Sequence, residues 1–155
     1  MILPTTHVTL TFFWHWQEAE LARKGTTIVT FLVVDDTSVM RFILIDILMR
    51  QYGVEKSDIY EAENGREALN KYRLFKPDVI FLDITMPDLD GITVVKELMA
   101  QDSRIKIIMF TSSNDEADVV ECIQAGARDY IVKPPDPERV LKAVEKATGK
   151  KLFGL

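Results

Sequence analysis

The sequence predicts an α/β domain: a parallel five-stranded sheet with helices on both faces. Three observations lead there. Short apolar or β-branched runs alternate five times with segments of helical periodicity. The connections between them are short, as in sheets whose strands are joined by crossover helices. The hydrophilic residues gather just past the strand ends, where open α/β sheets place their ligands. They are Asp35 and Asp36, Asp83, Thr111 and Lys133.

The elements follow in order. Ile28 to Val34 is rich in β-branched residues and reads as the first strand. Thr37-Ser38 is placed to cap a first helix, with Val39, Phe42, Ile43 and Ile47 near helical spacing and Gly53 at its end. Ile59 to Ala62 is the second strand. Asn64 and Glu67 have the spacing of a capping box, with Ala68, Leu69, Tyr72 and Phe75 as the apolar stripe behind it. Val79 to Leu82 is the third strand, a run apolar enough to be buried on both faces. It ends abruptly in Asp83, and Met86-Pro87 breaks the chain before a third helix marked by Ile92, Val95, Leu98 and Met99. Ile105 to Phe110 is the fourth strand, and Val119, Val120 and Ile123 mark a fourth helix closed by Gly126. Tyr130 to Val132 is the fifth strand. Asp136 caps the last helix with Pro137 at its first position; Val140, Ala143, Val144 and Ala147 face inward, and Gly149 ends it.

The 155 residues, 47% hydrophobic and 28% charged, suit one domain with a sizeable core. The net charge is −5, and residues 28–155 hold 22 acids against 17 bases. That balance argues against nonspecific nucleic-acid binding. The single cysteine, Cys122, excludes an internal disulfide and fits a reducing, cytoplasmic compartment. Its helical spacing with Val119 and Ile123 suggests a small buried hydrophobe rather than a reactive thiol.

Residues 1–27 stand apart as an extension of uncertain role. Met1 to Gln17 carries no charge and includes the aromatic run Phe12-Phe13-Trp14-His15-Trp16. Neither a signal peptide nor a membrane helix is expected: the basic start is missing, and Pro4, four threonines and two histidines interrupt the apolar stretch. A dispensable terminus, a docking segment and a membrane contact are the readings open to it. A start at Val29 is a further one, since no methionine lies between Met1 and Met40. Residues 28–149 form the expected domain, and 150–155 a tail too short for an effector.

Three carboxylates in one crevice repel one another, and a divalent cation relieves that repulsion. Oxygen ligands favour Mg²⁺, which binds through one or two carboxylates plus phosphate oxygens. Lys133 adds a mobile positive charge and Thr111 a hydroxyl. The set suits phosphoryl transfer to a carboxylate, with Asp83 as nucleophile.

Four stretches carry a resemblance: L-V-V-D-D at 32–36, D-I-T-M-P-D-L-D-G at 83–91, I-I-M-F-T-S at 107–112 and G-A-R-D-Y-I-V-K-P at 126–134. In this order they resemble the receiver domain of bacterial two-component response regulators, of the single-domain chemotaxis type. The resemblance implies a doubly wound, three-layer flavodoxin-like fold with strand order 2-1-3-4-5. It implies that Asp83 accepts a phosphoryl group from a phosphohistidine of a sensor kinase or phosphotransfer protein. It assigns Mg²⁺ to Asp36, Asp83 and the backbone carbonyl of Thr85, with Asp35 acting through a metal-bound water. Lys133 would contact the phosphoryl group, with a cis bond to Pro134, and Thr111 and Tyr130 would be the switch pair. Two departures stand out: Pro135 where an aromatic is usual, and Ser112 where alanine is commonest.

The implied output is protein binding, to a downstream partner or a second copy, through the fourth helix, fifth strand and fifth helix. No enzyme activity on other substrates is expected. A relay receiver passing phosphate to another histidine fits the same motifs. An aspartate-nucleophile phosphatase is disfavoured because Thr85 stands where its second acid belongs. A flavin-binding flavodoxin is disfavoured because Asp35-Asp36 would repel a phosphate after the first strand.

Overall fold

The computed structural model describes residues 28–151. The expectations for residues 1–27, and for most of the tail, lie outside them. The described residues form five strands: β1 Phe31–Val34, β2 Ile59–Ala62, β3 Val79–Leu82, β4 Lys106–Thr111 and β5 Asp129–Val132. The α-helices are α1 Ser38–Asp46, α2 Gly65–Phe75, α3 Gly91–Gln101, α4 Glu116–Ala125 and α5 Pro137–Thr148. All strand pairs are parallel, in the order β2-β1-β3-β4-β5.

Strand alternation sorts the core into two layers. Leu32 and Val34 of β1 join Ile80 and Leu82 of β3 against Ala68 and Leu69 of α2, Val94 and Leu98 of α3, and Cys122 of α4. Phe31 and Val33 join Val79 and Phe81 against Leu44 of α1 and Val140 and Val144 of α5. β1 and β3 are fully buried along their length, as a central parallel strand covered on both faces must be.

Several local expectations are corrected. β1 begins at Phe31 rather than Ile28; Ile28 is exposed, and the Thr30 carbonyl instead accepts from the Asp78 and Val79 N–H groups. Thr37 is the N-cap of α1, but its side chain makes no cap bond; the Asp35 carboxylate accepts the Thr37 N–H instead, at 2.8 Å. α1 is apolar nearly all round, so periodicity misjudged its inward face. Val39 and Phe42 are 58% and 67% exposed, while Leu44, Ile45 and Leu48 are buried. α1 then runs into a π-helical turn, Ile47–Gln51, before Gly53. Val120 and Ile123 of α4 are likewise exposed, and Phe75 stacks on Tyr60 at the sheet edge with ring centroids 4.2 Å apart.

Other expectations hold. Asn64 accepts the Glu67 N–H at 2.8 Å, while Glu67 reaches back to the Glu63 N–H rather than to the cap residue itself. Asp136 caps α5 through the Arg139 N–H, with Pro137 in its first turn.

Candidate functional site

The register of β1 and β3 builds the site. Val34 pairs with Leu82, so Asp35 and Asp83 leave the sheet side by side. Their backbones stay in the ladder: the Asp83 N–H donates to the Val34 carbonyl and the Asp35 N–H to the Ala62 carbonyl, each at 3.1 Å. Asp36 follows on the rim, exposed. One carboxylate oxygen from each of Asp35, Asp36 and Asp83 lies within 4.8 Å of the others.

β5 delivers the cation. Thr111 pairs with Val132, and the Lys133 N–H donates to the Thr111 carbonyl at 2.8 Å. Lys133 Nζ lies 3.1 Å from Asp83 Oδ2 and 2.5 Å from Asp35 Oδ2, and 5.2 Å from the centroid of the Phe110 ring. The peptide bond to Pro134 is cis. The contact with Asp35 Oδ2 is the shorter of the two, and it is that oxygen's one polar partner.

Asp35 is 0% and Asp83 4% exposed, so both charges sit largely out of water. Burial pushes the Asp35 carboxyl above its ordinary range, against the opposing pull of Lys133 and of the Thr37 N–H; the Asp83 charge adds to the rise. Desolvation acts to lower the Lys133 ammonium, but bonding to Asp35 and Asp83 more than offsets it and holds Lys133 above its ordinary value. One partly buried cation therefore serves two buried anions, with a third carboxylate at the rim. Three carboxylates around one ammonium leave net negative charge that a hard divalent cation with oxygen ligands would neutralise, so the donor set fits one.

Thr111 is buried at the end of β4, and its hydroxyl accepts from the Ser113 N–H at 3.4 Å. Tyr130 is also buried, and its hydroxyl donates to the Ser113 carbonyl at 2.6 Å. Thr85 is exposed, and its N–H donates to Asp83 Oδ1 at 3.4 Å. The structure thus gathers the three aspartates and Lys133 directly, and connects Thr111 to Tyr130 through Ser113. Gly91 closes the loop after Asp83: a Cβ there would lie 2.1 Å from the Asp83 carbonyl oxygen.

The model of the response regulator receiver domain matches residues 31–145. The chain belongs to that family. It is 46% identical over 117 residues to the chemotaxis protein CheY of Thermotoga maritima, covering 76% of this chain and 95% of that protein. Against the CheY of Bacillus subtilis it is 45% identical over 115 residues, covering 74% and 93%. Among solved structures, the CheX–CheY–BeF3–Mg complex from Borrelia burgdorferi superposes with a TM-score of 0.70 at 35% identity, covering 76% of this chain and 87% of that one. This receiver is therefore of the CheY-like type within two-component signalling.

Sequence reading missed three polar supports of the receiver site. Arg41 is buried and donates to the Asp35 carbonyl at 2.7 Å and to Glu61 and Glu63 at 3.1 Å each. Asp129 is buried against Arg139, which donates to both its oxygens and to the Tyr130 carbonyl. Asp88 accepts from the Gly65 and Arg66 N–H groups. Only Arg41 gave a hint, as a charged residue among the apolar positions of α1.

Proposed function

We propose that this receiver takes a phosphoryl group from a phosphohistidine onto the Asp83 carboxylate, with Mg²⁺, and so switches its binding to other proteins. The observation that supports this most directly is the cluster of Asp35, Asp36 and Asp83, whose carboxylate oxygens lie within 4.8 Å of one another with the Lys133 ammonium against two of them. Asp36, Asp83 and the Thr85 carbonyl would hold the metal, and Asp35 would act through a bound water. The bound cation would neutralise charge on the phosphoryl oxygens. Asp83 attacks phosphorus as the bond to the donor's imidazole nitrogen breaks; the imidazole leaves with that electron pair and takes up a proton. Lys133 is positioned by both acids and would turn to a phosphoryl oxygen as the Asp83 charge is spread. Thr111 offers its hydroxyl to another.

The donor is a sensor histidine kinase or phosphotransfer protein. The output face is α4–β5–α5, where exposed Val120, Ile123 and Val132 supply apolar contact area. The chain acts on its own phosphoryl group and on no separate substrate. Cys122 is the one cysteine of the sequence and is free and buried, so the chain forms no internal disulfide, which suits a cytoplasmic setting. Among the described residues no helix is long and apolar enough to cross a membrane.

The test is intact-mass analysis after incubation with a small acyl-phosphate donor. A single phosphoryl adduct is expected with Mg²⁺ and none after chelation. Asp83→Asn abolishes it; an undiminished adduct in that variant refutes the assignment.

A further inference from the structure

The segment between Asp83 and α3 carries the Thr85 carbonyl assigned above to the metal. It makes few bonds of its own. The Gly91 N–H donates to the Ile84 carbonyl at 2.8 Å and closes the loop at its base. The Asp90 side chain is committed to the N-terminus of α3, through the Thr93 N–H. The tip is held from outside. Asp88 Oδ1 accepts the Gly65 N–H and Oδ2 accepts the Arg66 N–H, each at 3.1 Å.

Gly65 and Arg66 are the first two residues of α2, whose N–H groups have no acceptor within their own helix. A carboxylate there is also favoured by the positive end of the helix dipole. Leu89 completes the grip by packing where a side chain on Gly65 would stand. A Cβ at that position would lie 2.8 Å from both the Leu89 Cβ and the Leu89 carbonyl oxygen. Asn64 accepts the Glu67 N–H by itself, so Asp88 is an addition to the ordinary cap, supplied by a loop 23 residues away in sequence.

We propose that Asp88 is a positioning residue for cation binding: it clamps the 84–90 loop, and with it the Thr85 carbonyl, to the start of α2. This rests on the metal assignment under Proposed function. The clamp makes the order of the α2 N-terminus and the occupancy of the metal site depend on each other, and such coupling is reciprocal.

The test uses the full chain, titrated calorimetrically with Mg²⁺ alone, as the parent protein, Asp88→Ala and Asp88→Asn. Exchange of the Gly65 and Arg66 amides is followed with and without Mg²⁺. Groups that orient ligands from behind typically shift metal affinity by 10–100-fold, and Asp88→Ala is expected at the low end, about tenfold weaker. Asp88→Asn keeps one acceptor oxygen and falls between. Mg²⁺ slows exchange of both amides in the parent and not in Asp88→Ala. The proposal is overturned if Asp88→Ala speeds that exchange yet binds Mg²⁺ within about twofold of the parent, for the clamp would then be purely structural. Should Asp88→Ala fail to fold, the same comparison is read from Asp88→Asn. A parent protein that binds no Mg²⁺ overturns the metal assignment itself, and this inference with it.

Discussion

Asp35 and Asp129 are both buried aspartates paired with a cation from the end of the chain, yet their environments push them in opposite directions. Asp129 receives two bonds from Arg139, at 3.0 and 2.6 Å, one from the Tyr130 N–H at 2.8 Å, and has Lys146 nearby at 3.9 Å. Desolvation acts to raise its carboxyl, but those bonds win and hold it below the ordinary carboxylate range. Asp35 shares the single Lys133 with Asp83, has Asp36 as a further acid beside it, and is pushed up by burial. A cluster whose acids are all satisfied is structural. One that leaves charge uncompensated is destabilised until a ligand arrives, and such strain collects at functional sites.

The largest effect should come from breaking the satisfied cluster. Asp129→Ala strands Arg139 and the Tyr130 N–H. Losing one partner of a fully buried pair costs about 3–5 kcal/mol. The Arg139 side chain reaches water, so a loss of about 2–3 kcal/mol is expected here, measured by urea unfolding. Mg²⁺ affinity should stay within about twofold. A tenfold loss of affinity would show that the two clusters are one.

Asp35→Asn should do the reverse. It removes the less favoured charge while keeping the shape, so the metal-free protein should gain about 0.5–2 kcal/mol, the range common for stabilising changes at a strained site. Mg²⁺ binding should weaken at least tenfold. A variant that loses both stability and metal would mean that the Lys133 pair already compensates Asp35 in full.

The sequence made one of these regions legible and hid the other. Asp35, Asp36, Asp83, Thr111 and Lys133 could be read because each directly follows or ends an apolar strand, and strand ends in a parallel sheet converge. The sheet itself was legible for the same reason, as β1 and β3 are unbroken apolar runs. Asp129 and Arg139 could not be paired in advance. Their contact joins the first residue of β5 to the first turn of α5, and nothing in the spacing marks it. Phe42 and Val39 were misplaced because an apolar residue on every side of α1 leaves periodicity with no polar face to measure against. The Asp88 clamp bridges 22 and 23 residues from a loop to the start of α2, beyond any local pattern.

Acid titration sharpens the contrast at smaller scale. The ordinary carboxyl value for both residues is 3.8. The raised Asp35 contributes stability that is fully present below that value and is lost as pH rises through its folded pKa. The depressed Asp129 contributes stability present above 3.8 and lost as pH falls through its own folded pKa. In metal-free buffer, the advantage of Asp35→Asn over the parent should therefore grow as pH rises from about 4 toward 7. The deficit of Asp129→Asn should shrink as pH falls below 3.8. Urea midpoints between those limits give both slopes, and slopes of equal sign would erase the distinction drawn between the clusters.

Tyr130 is where the two regions meet, and it should give the smallest change in stability with the most specific change in behaviour. Its backbone belongs to the satisfied cluster: its N–H donates to Asp129, and its carbonyl accepts from Arg139. Its hydroxyl belongs to the other, donating to the Ser113 carbonyl two residues beyond Thr111. Tyr130→Phe removes that one bond and leaves the ring in place, for a cost of about 0.5–1.5 kcal/mol. The carboxylates and Lys133 are untouched, so the Asp83 adduct should form at a rate within about twofold of the parent. What should fall is the difference between states. If the Thr111 hydroxyl moves toward a phosphoryl group, the Ser113 segment moves with it, and the Tyr130 hydroxyl bonded to Ser113 carries that movement to β5. Partner binding, or sedimentation where self-association is the output, is compared with and without beryllofluoride for the parent, Thr111→Ala and Tyr130→Phe. Both variants should lose most of the parent's response. If Tyr130→Phe responds like the parent while Thr111→Ala does not, the signal leaves the site through α4 without passing the Tyr130 hydroxyl.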